Sequence, residues 1–329
     1  MRLRRIAYAV PTQRFSSDEV ASWAALDPTF VREKIGIESR AFLRPDESPL
    51  TLAVRACENL FASTPELARE RIRLVLLVTQ NPDFKLPHSS ALLQHALTLP
   101  QDTACFDVNL GCSGYVYALS VAKGFMATED INDALVVTCD TYSRIMGRSD
   151  RDTIALFGDA ASATWLSADS GAQIGKLDFG TDGAGAENLI VHAGGAARPL
   201  SSVHRESLPD VPERDYRLTM NGRGIFNFMM ERIPTSIDRC LQKNDVSREA
   251  IDYFVLHQAS RFLLDNIRKK LGLAADRVPS NLRDLGNTVS SSVPILLADL
   301  AARNALAGRL VLVSGFGVGL SWASNVIQF

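Results

Sequence analysis

Four short runs along the chain are almost wholly apolar: residues 74–79, 134–138, 253–257 and 309–314. Runs of this length, bounded by polar or turn residues, read as strands buried on both faces. Between them apolar residues recur at helical spacing over 50–61, 89–97, 113–127, 225–242, 261–271 and 289–305. Strands alternating with helices along the whole length predict an α/β protein with a largely parallel sheet.

The spacing repeats. Thr79-Gln80 and His257-Gln258 close buried runs 178 residues apart, Cys112 and Asn287 precede helices 175 apart, and the runs at Leu135 and Leu310 are again 175 apart. Repetitive texture is common in α/β chains, but three agreeing offsets predict two similar halves, 1–170 and 171–329, with a seam in 166–175. Chemistry is then expected where corresponding strand ends meet. Residues 193–216, with Gly194-Gly195, Pro199, Pro209 and Pro212, have no usable period and read as a long excursion of the kind that covers a site or is mobile.

Composition narrows the class. With 329 residues, 46% hydrophobic and 22% charged, the chain is neither disordered nor fibrous. Lys+Arg 35 against Asp+Glu 37 leaves a net charge of −2, so there is no global basic field for nucleic acid, and an acidic ligand must be met by local clusters. Five widely spaced cysteines, Cys57, Cys105, Cys112, Cys139 and Cys240, form no C-x-x-C pair, which argues against a disulfide framework or a zinc site. No run nears the ~20 apolar residues that span a bilayer, and the apolar stretch after Arg5 is too short for a signal peptide. The expectation is a cytoplasmic protein with reduced thiols, no metal and no membrane partner.

One cysteine stands in unusual company. Cys112 lies in Asn109-Leu110-Gly111-Cys112-Ser113-Gly114, where a short apolar stretch runs into a glycine turn and a helix begins at once. That is a nucleophile elbow with sulfur in place of oxygen. Unpaired N–H groups at a helix N-terminus favour thiolate, so a pKa below the usual ~8.5 is expected, and the same groups can hold an oxyanion. The other four cysteines read as small buried hydrophobes, the ordinary role of a free thiol. His257 closes a core strand and is equally a structural histidine when taken alone. Asn287, in Gly286-Asn287-Thr288, is by default a cap or turn residue. The repeat alters both readings, because it sets Asn287 opposite Cys112. The tail Ser314-Gly315-Phe316-Gly317-Val318-Gly319 suits close backbone approach to a ligand and is expected to face the thiol.

Taken in order, the Cys112 turn, Asp150-Arg151-Asp152-Thr153 through Gly158-Asp159, His257-Gln258-Ala259, Gly286-Asn287-Thr288 and the glycine tail ending at Trp322 carry a resemblance. The chain resembles the β-ketoacyl-acyl-carrier-protein synthase III family of thiolase-fold condensing enzymes, from about residue 3 to the last. The resemblance implies a thiolase-like fold, two duplicated βαβαβ halves in a five-layered α-β-α-β-α arrangement. It implies a catalytic triad of Cys112, His257 and Asn287, oxyanion N–H groups at Cys112 and Val318, and Phe316 bordering the decarboxylation site. Acyl-CoA would load Cys112 as a thioester. Malonyl-acyl-carrier protein would then lose carbon dioxide and condense to a 3-oxoacyl product, with no further cofactor.

An enolate needs neutral donors aimed at its oxygen, and Asn, unlike Asp, is a donor; Asn287 therefore favours condensation over simple acyl transfer. By resemblance Phe30, Lys34, Arg151 and Arg261 meet CoA or the carrier protein, Leu86 and Tyr142 line the acyl pocket, and the enzyme is a homodimer. Several positions depart from the family pattern. Phe30 replaces a Trp, Lys34 an Arg, Phe262 a basic carrier-protein contact, and Leu86 an aromatic that enters the pocket of the partner subunit. The basic run from Arg261 to Lys270 reads equally as a solvated helix face. Two other readings stay open: a specialised acyltransferase or secondary-metabolite or biotin-pathway condensing enzyme of the same fold, and an inactive partner subunit of a heterodimer.

Overall fold

The computed structural model describes residues 1–200 and 211–329. Ten of the described strands form one sheet in the order Tyr253–Leu256, Leu310–Gly317, Ser321–Gln328, Ala172–Ile174, Arg2–Ala9, Ala160–Ser167, Asp133–Asp140, Ile72–Val78 and Ala104–Val108, with Asp178–Thr181 paired beside Ser321–Gln328. The four predicted strands are present. The expectation of a largely parallel sheet is corrected: parallel pairing is confined to Ile72–Val78 with its two neighbours and to Tyr253–Leu256 with Leu310–Gly317. Leu310–Gly317 and Ser321–Gln328 are joined by three residues, too few for the crossover that a parallel pair needs.

Period-two alternation sorts the strands into layers. In Ile72–Val78, Val75 and Leu77 pack with Leu52, Ala56 and Leu60 of the helix Pro49–Ala62 and with Leu93 of Ser89–Ala96. Leu74, Leu76 and Val78 face the other way, onto Tyr115, Leu119 and Ala122 of the helix Gly114–Thr128. The same central cluster takes Val293, Leu296 and Leu297 of the helix Ser292–Ala302, and Val255, Val311 and Val313 from the other wing of the sheet. Phe254, Leu256 and Leu312 point to the far side, against Phe228, Ile233 and Ile237 of Gly222–Asn244 and Leu263, Leu264 and Ile267 of Arg261–Lys270. Helices, sheet wing, central helices, sheet wing, helices: the five-layered α/β arrangement is that of the thiolase fold.

Helix limits follow the chemistry of their ends. Ser48 accepts from the Thr51 N–H before Pro49, Ser260 from Leu263, and Asn221 from Gly224. The Asp107 carboxylate accepts from the Ser89 and Ser90 N–H groups and so caps Ser89–Ala96 from a neighbouring strand. The predicted helix over 289–305 is shorter, a 3-10 turn Val289–Ser291 leading into Ser292–Ala302. The excursion at 193–216 lies between the two strands of a hairpin, Leu189–Val191 and Leu218–Met220, and its middle, with Pro209, lies outside the described residues. No described helix is long and apolar enough to cross a membrane.

Candidate active site

Cys112 sits where the strand Ala104–Val108 turns into the helix Gly114–Thr128. Ser113 at the N-cap makes no side-chain capping bond, so the first N–H groups of this helix are left to other partners. Among the described residues no carbonyl accepts from the Cys112 or Val318 N–H. The tail closes over the thiol: a Cβ on Gly317 would stand 3.0 Å from Cys112 Sγ, and one on Gly315 2.4 Å from the Cys112 carbonyl oxygen. Val318 packs on the preceding turn, its Cγ1 2.7 Å from where a Cβ of Gly111 would be. The expectation that the glycine tail faces Cys112 is met by geometry. One boundary moves, since the strand runs on through Phe316 to Gly317 and only 318–320 are turn.

His257 follows the strand Tyr253–Leu256 by one residue and is 1% exposed. Its ring stands edge-on to Phe316 with centroids 5.5 Å apart, and its Nδ1 lies 2.7 Å from Ser292 Oγ. Phe316 and Gly317 thus touch the imidazole and the thiol from adjacent positions of one strand. Burial lowers the His257 pKa to about 3, so the ring is neutral at neutral pH.

Asn287 is 5% exposed and held by its backbone: its N–H donates to the Leu156 carbonyl and its carbonyl accepts from Gly158. Its Oδ1 accepts the Val289 N–H at 2.9 Å in an Asx-type turn, not a helix cap. A backbone N–H can only donate, which fixes the amide orientation and leaves Nδ2, without a partner among the described residues, as the free end. The stretch from Asp150 to Asp159 matters because it supplies this backbone clamp. Arg40, buried and with a pKa lowered by burial to about 10, pins the clamp by donating to the Ala155 carbonyl.

The expected low pKa of Cys112 is corrected. At 4% exposure, loss of solvation pushes the thiol up, the nearby Asp140 carboxyl adds to that, and the pull of its own N–H is smaller. The resting group is a thiol. Asp140, which the sequence reading did not single out, accepts from the Gln80 N–H at 2.8 Å and from the Ser290 hydroxyl, and burial raises its pKa to about 7. Tyr142 is buried in the same cluster, packs on Phe157 at 4.9 Å and donates to Gln80 Oε1 at 2.9 Å. Ser292 was also missed. The run Ser290-Ser291-Ser292 was a usable signal, since three serines in an otherwise apolar segment are buried only with partners.

The residues expected to bind CoA or carrier protein lie outside this cluster. Phe30 is 49% exposed, and Lys34, Arg151 and Arg261 are exposed. Arg261 lies across Gly36, at the end of the turn that carries Lys34, beside a cavity of about 290 Å³ that Arg268 and Arg283 also line. Arg151 stands apart on the 150–159 stretch. Phe262 stacks on Phe226 at 5.5 Å, an apolar pair on a basic surface. Leu86 is 87% exposed. All five cysteines are free, and among the described residues no group of three or more His, Cys, Asp or Glu is placed to hold a metal ion.

Comparison with known proteins agrees with this architecture. Residues 106–183 match the family model described as 3-Oxoacyl-[acyl-carrier-protein (ACP)] synthase III, and residues 241–329 its C-terminal counterpart. A beta-ketoacyl-[acyl-carrier-protein] synthase III of Gloeobacter violaceus is 35% identical over 315 residues, covering 95% of this chain and 94% of that one. The protein of the same name from Streptococcus mutans is 31% identical over 330 residues, 99% of this chain and 98% of that one. A crystal structure of a 3-oxoacyl-(acyl-carrier-protein) synthase III is 40% identical, superposes with a TM-score of 0.92, and covers 100% of this chain and 99% of its own.

Proposed function

The chain belongs to the β-ketoacyl-acyl-carrier-protein synthase III family of condensing enzymes, and from that premise we propose that it joins an acyl group from acyl-CoA to malonyl-acyl-carrier protein through Cys112. The observation that carries the reading is that the His257 imidazole is buried and neutral and that the Asn287 amide oxygen is already occupied, so each has hydrogen to offer and neither is a strong acid.

In the first half-reaction Cys112 Sγ attacks the thioester carbon of acyl-CoA. The oxyanion forms within reach of the Cys112 and Val318 N–H groups. The new carbon–sulfur bond replaces the one to CoA, which departs with the proton that Cys112 gives up. Because the thiolate is the nucleophile, the proton that burial keeps on the resting thiol must leave Sγ as the attack proceeds, and it goes out with CoA.

In the second half-reaction Asn287 Nδ2 and His257 Nε2 donate to the carbonyl oxygen of the malonyl thioester. The bond to the terminal carboxylate breaks, carbon dioxide leaves, and its electron pair becomes the enolate. The enolate carbon attacks the Cys112 thioester, the carbon–sulfur bond breaks, and the thiolate takes a proton from solvent. An imidazolium at this place would protonate the carbanion; a ring whose pKa is about 3 does not. By this reading the active form is a cytoplasmic homodimer, with Leu86 of each chain entering the partner's acyl pocket.

The test separates the halves. Incubation with acyl-CoAs of increasing length should add one acyl mass to Cys112, after which malonyl-acyl-carrier protein should release carbon dioxide. Asn287→Asp replaces a donor by an acceptor, so acylation should persist while carbon dioxide release falls about 10²- to 10³-fold. Equal loss of both steps, or a Cys112 that no acyl-CoA modifies, would contradict the assignment.

A further inference from the structure

We infer that Ser292 is the positioning residue that sets the tautomer of His257: its hydroxyl donates to Nδ1, which leaves the ring proton on Nε2, the nitrogen turned to the substrate. The inference rests on the reading of His257 as a hydrogen-bond donor to the malonyl thioester.

A neutral imidazole carries one N–H, and which nitrogen holds it depends on what faces the other. The residue facing Nδ1 is Ser292, at 2.7 Å, with both side chains buried. Ser292 Oγ has a single proton and a second acceptor in reach, the Val289 carbonyl oxygen at 3.0 Å. If the hydroxyl turned to Val289, Nδ1 would carry the proton and Nε2 would be bare, unable to donate to an enolate. If it turns to Nδ1, Nε2 carries the proton.

Two observations favour the second arrangement. The Val289 carbonyl already accepts from the Ser292 backbone N–H, which closes the 3-10 turn Val289–Ser291, so it does not need the hydroxyl. Nδ1 has no partner other than Ser292 among the described residues, so the direction of that one bond decides the tautomer. The contact to Nδ1 is also the shorter, and an imidazole lone pair is a better acceptor than an amide oxygen that is already bonded. Ser292 can hold this direction because it is the first residue of Ser292–Ala302, a helix packed between the two wings of the sheet.

Side-chain ¹⁵N spectra of the full-length protein labelled at its five histidines test this directly. The His257 signals are identified by their loss in His257→Ala. The expected spectrum shows Nδ1 without a proton and Nε2 with one. Ser292→Ala should blur this preference and lower carbon dioxide release by about 10- to 10²-fold while acylation of Cys112 stays within about twofold, and Ser292→Thr should restore the wild-type tautomer. A wild-type spectrum with the proton on Nδ1 overturns the inference whether or not the variants fold. If the spectrum is as expected and malonyl-acyl-carrier protein releases no carbon dioxide, the tautomer stands and the proposed reaction falls.

Discussion

The tail over Cys112 offers two glycines, two residues apart, whose replacement should fail in opposite ways. Neither has a left-handed φ, so an alanine at either place meets contacts and not backbone strain. At Gly315 the new Cβ would stand 2.4 Å from the Cys112 carbonyl oxygen and 2.9 Å from Ser113 Cα, both backbone atoms of a helix start that is packed on every side. Reaching ordinary contact needs a shift of about 1 Å in that turn or in the strand, an overpacking that costs about 1–3 kcal/mol. In a chain of this size that lowers Tm by about 5 °C.

At Gly317 the new Cβ would stand 3.0 Å from Cys112 Sγ and 3.1 Å from its Cβ. The overlap is a few tenths of an ångström against a side chain, so Gly317→Ala should melt within about 2 °C of wild type. Its methyl group nonetheless lies against the sulfur on which the proposed thioester would form. A misplacement of the nucleophile by 1 Å can cost about 10²-fold, so a fall in acylation rate of about 10- to 10²-fold is expected. Quenched intact-mass measurements with a short acyl-CoA give the rate, and calorimetry gives Tm. A Gly317→Ala enzyme that acylates at the wild-type rate, or a Gly315→Ala enzyme that melts like wild type, would refute the contact between tail and thiol.

Two further outcomes depend on Asp140 and Leu86. Because burial holds the Asp140 pKa at about 7 while an unfolded aspartate titrates near ~3.9, the folded chain keeps a proton that the unfolded chain has lost, and stability falls as pH rises from about 4 to 7. Asp140→Asn removes that slope, so urea unfolding at a series of pH values should show the variant gaining on wild type by a few kcal/mol across the interval; a difference independent of pH would count against a buried neutral carboxyl. Asp159, raised by burial to about 6, titrates in both proteins and largely cancels. Leu86 is 87% exposed, and the proposed homodimer would place it in the partner's acyl pocket. Leu86→Phe should lower kcat/KM for the longest acyl-CoA accepted by at least about tenfold relative to acetyl-CoA, and an unchanged chain-length profile would remove Leu86 from the pocket.

Legibility in the sequence followed the side chains. The strands Ile72–Val78 and Leu310–Gly317 were readable because hydrocarbon fills both faces. Ala160–Ser167 was not, although all eight of its residues are buried. Its sequence, AASATWLS, hides its polar atoms by pairing them: Ser162 Oγ meets Thr138 Oγ1 at 2.7 Å, and the Thr164 hydroxyl donates to the Tyr115 hydroxyl at 3.2 Å. Thr138 meets Ser291 as well, and Ser324 meets Ser314 and Ser236, so layer contacts are built from hydroxyls that a hydropathy pattern counts as surface. The turn at Cys112 was readable from Gly-Cys-Ser-Gly. Its protonation state was not, because the helix N-terminus is local whereas the burial that outweighs it is assembled from the tail, Tyr142 and Asp140.

The two turns that the sequence sets 175 residues apart precede the two central helices, and they meet the demands of an oxyanion in different ways. Before Gly114–Thr128 the Gly114 N–H donates to the Gly111 carbonyl, but among the described residues no carbonyl accepts from the Cys112 N–H, which stays free beside the sulfur, where charge would appear on the acyl oxygen. Before Ser292–Ala302 the corresponding N–H groups are consumed: Val289 donates to Asn287 Oδ1, Ser291 to the Thr288 carbonyl and Ser292 to the Val289 carbonyl. That turn cannot hold an oxyanion with its backbone. What it presents are the side-chain ends that those same bonds orient, Nδ2 of Asn287 directly and Nε2 of His257 through Ser292. In the proposed mechanism the first turn thus offers a main-chain N–H, that of Cys112, to a covalent intermediate that never leaves it. The other would offer side-chain donors to a malonyl group that must enter, lose carbon dioxide and move, which is the division of labour that the proposed two-step condensation requires.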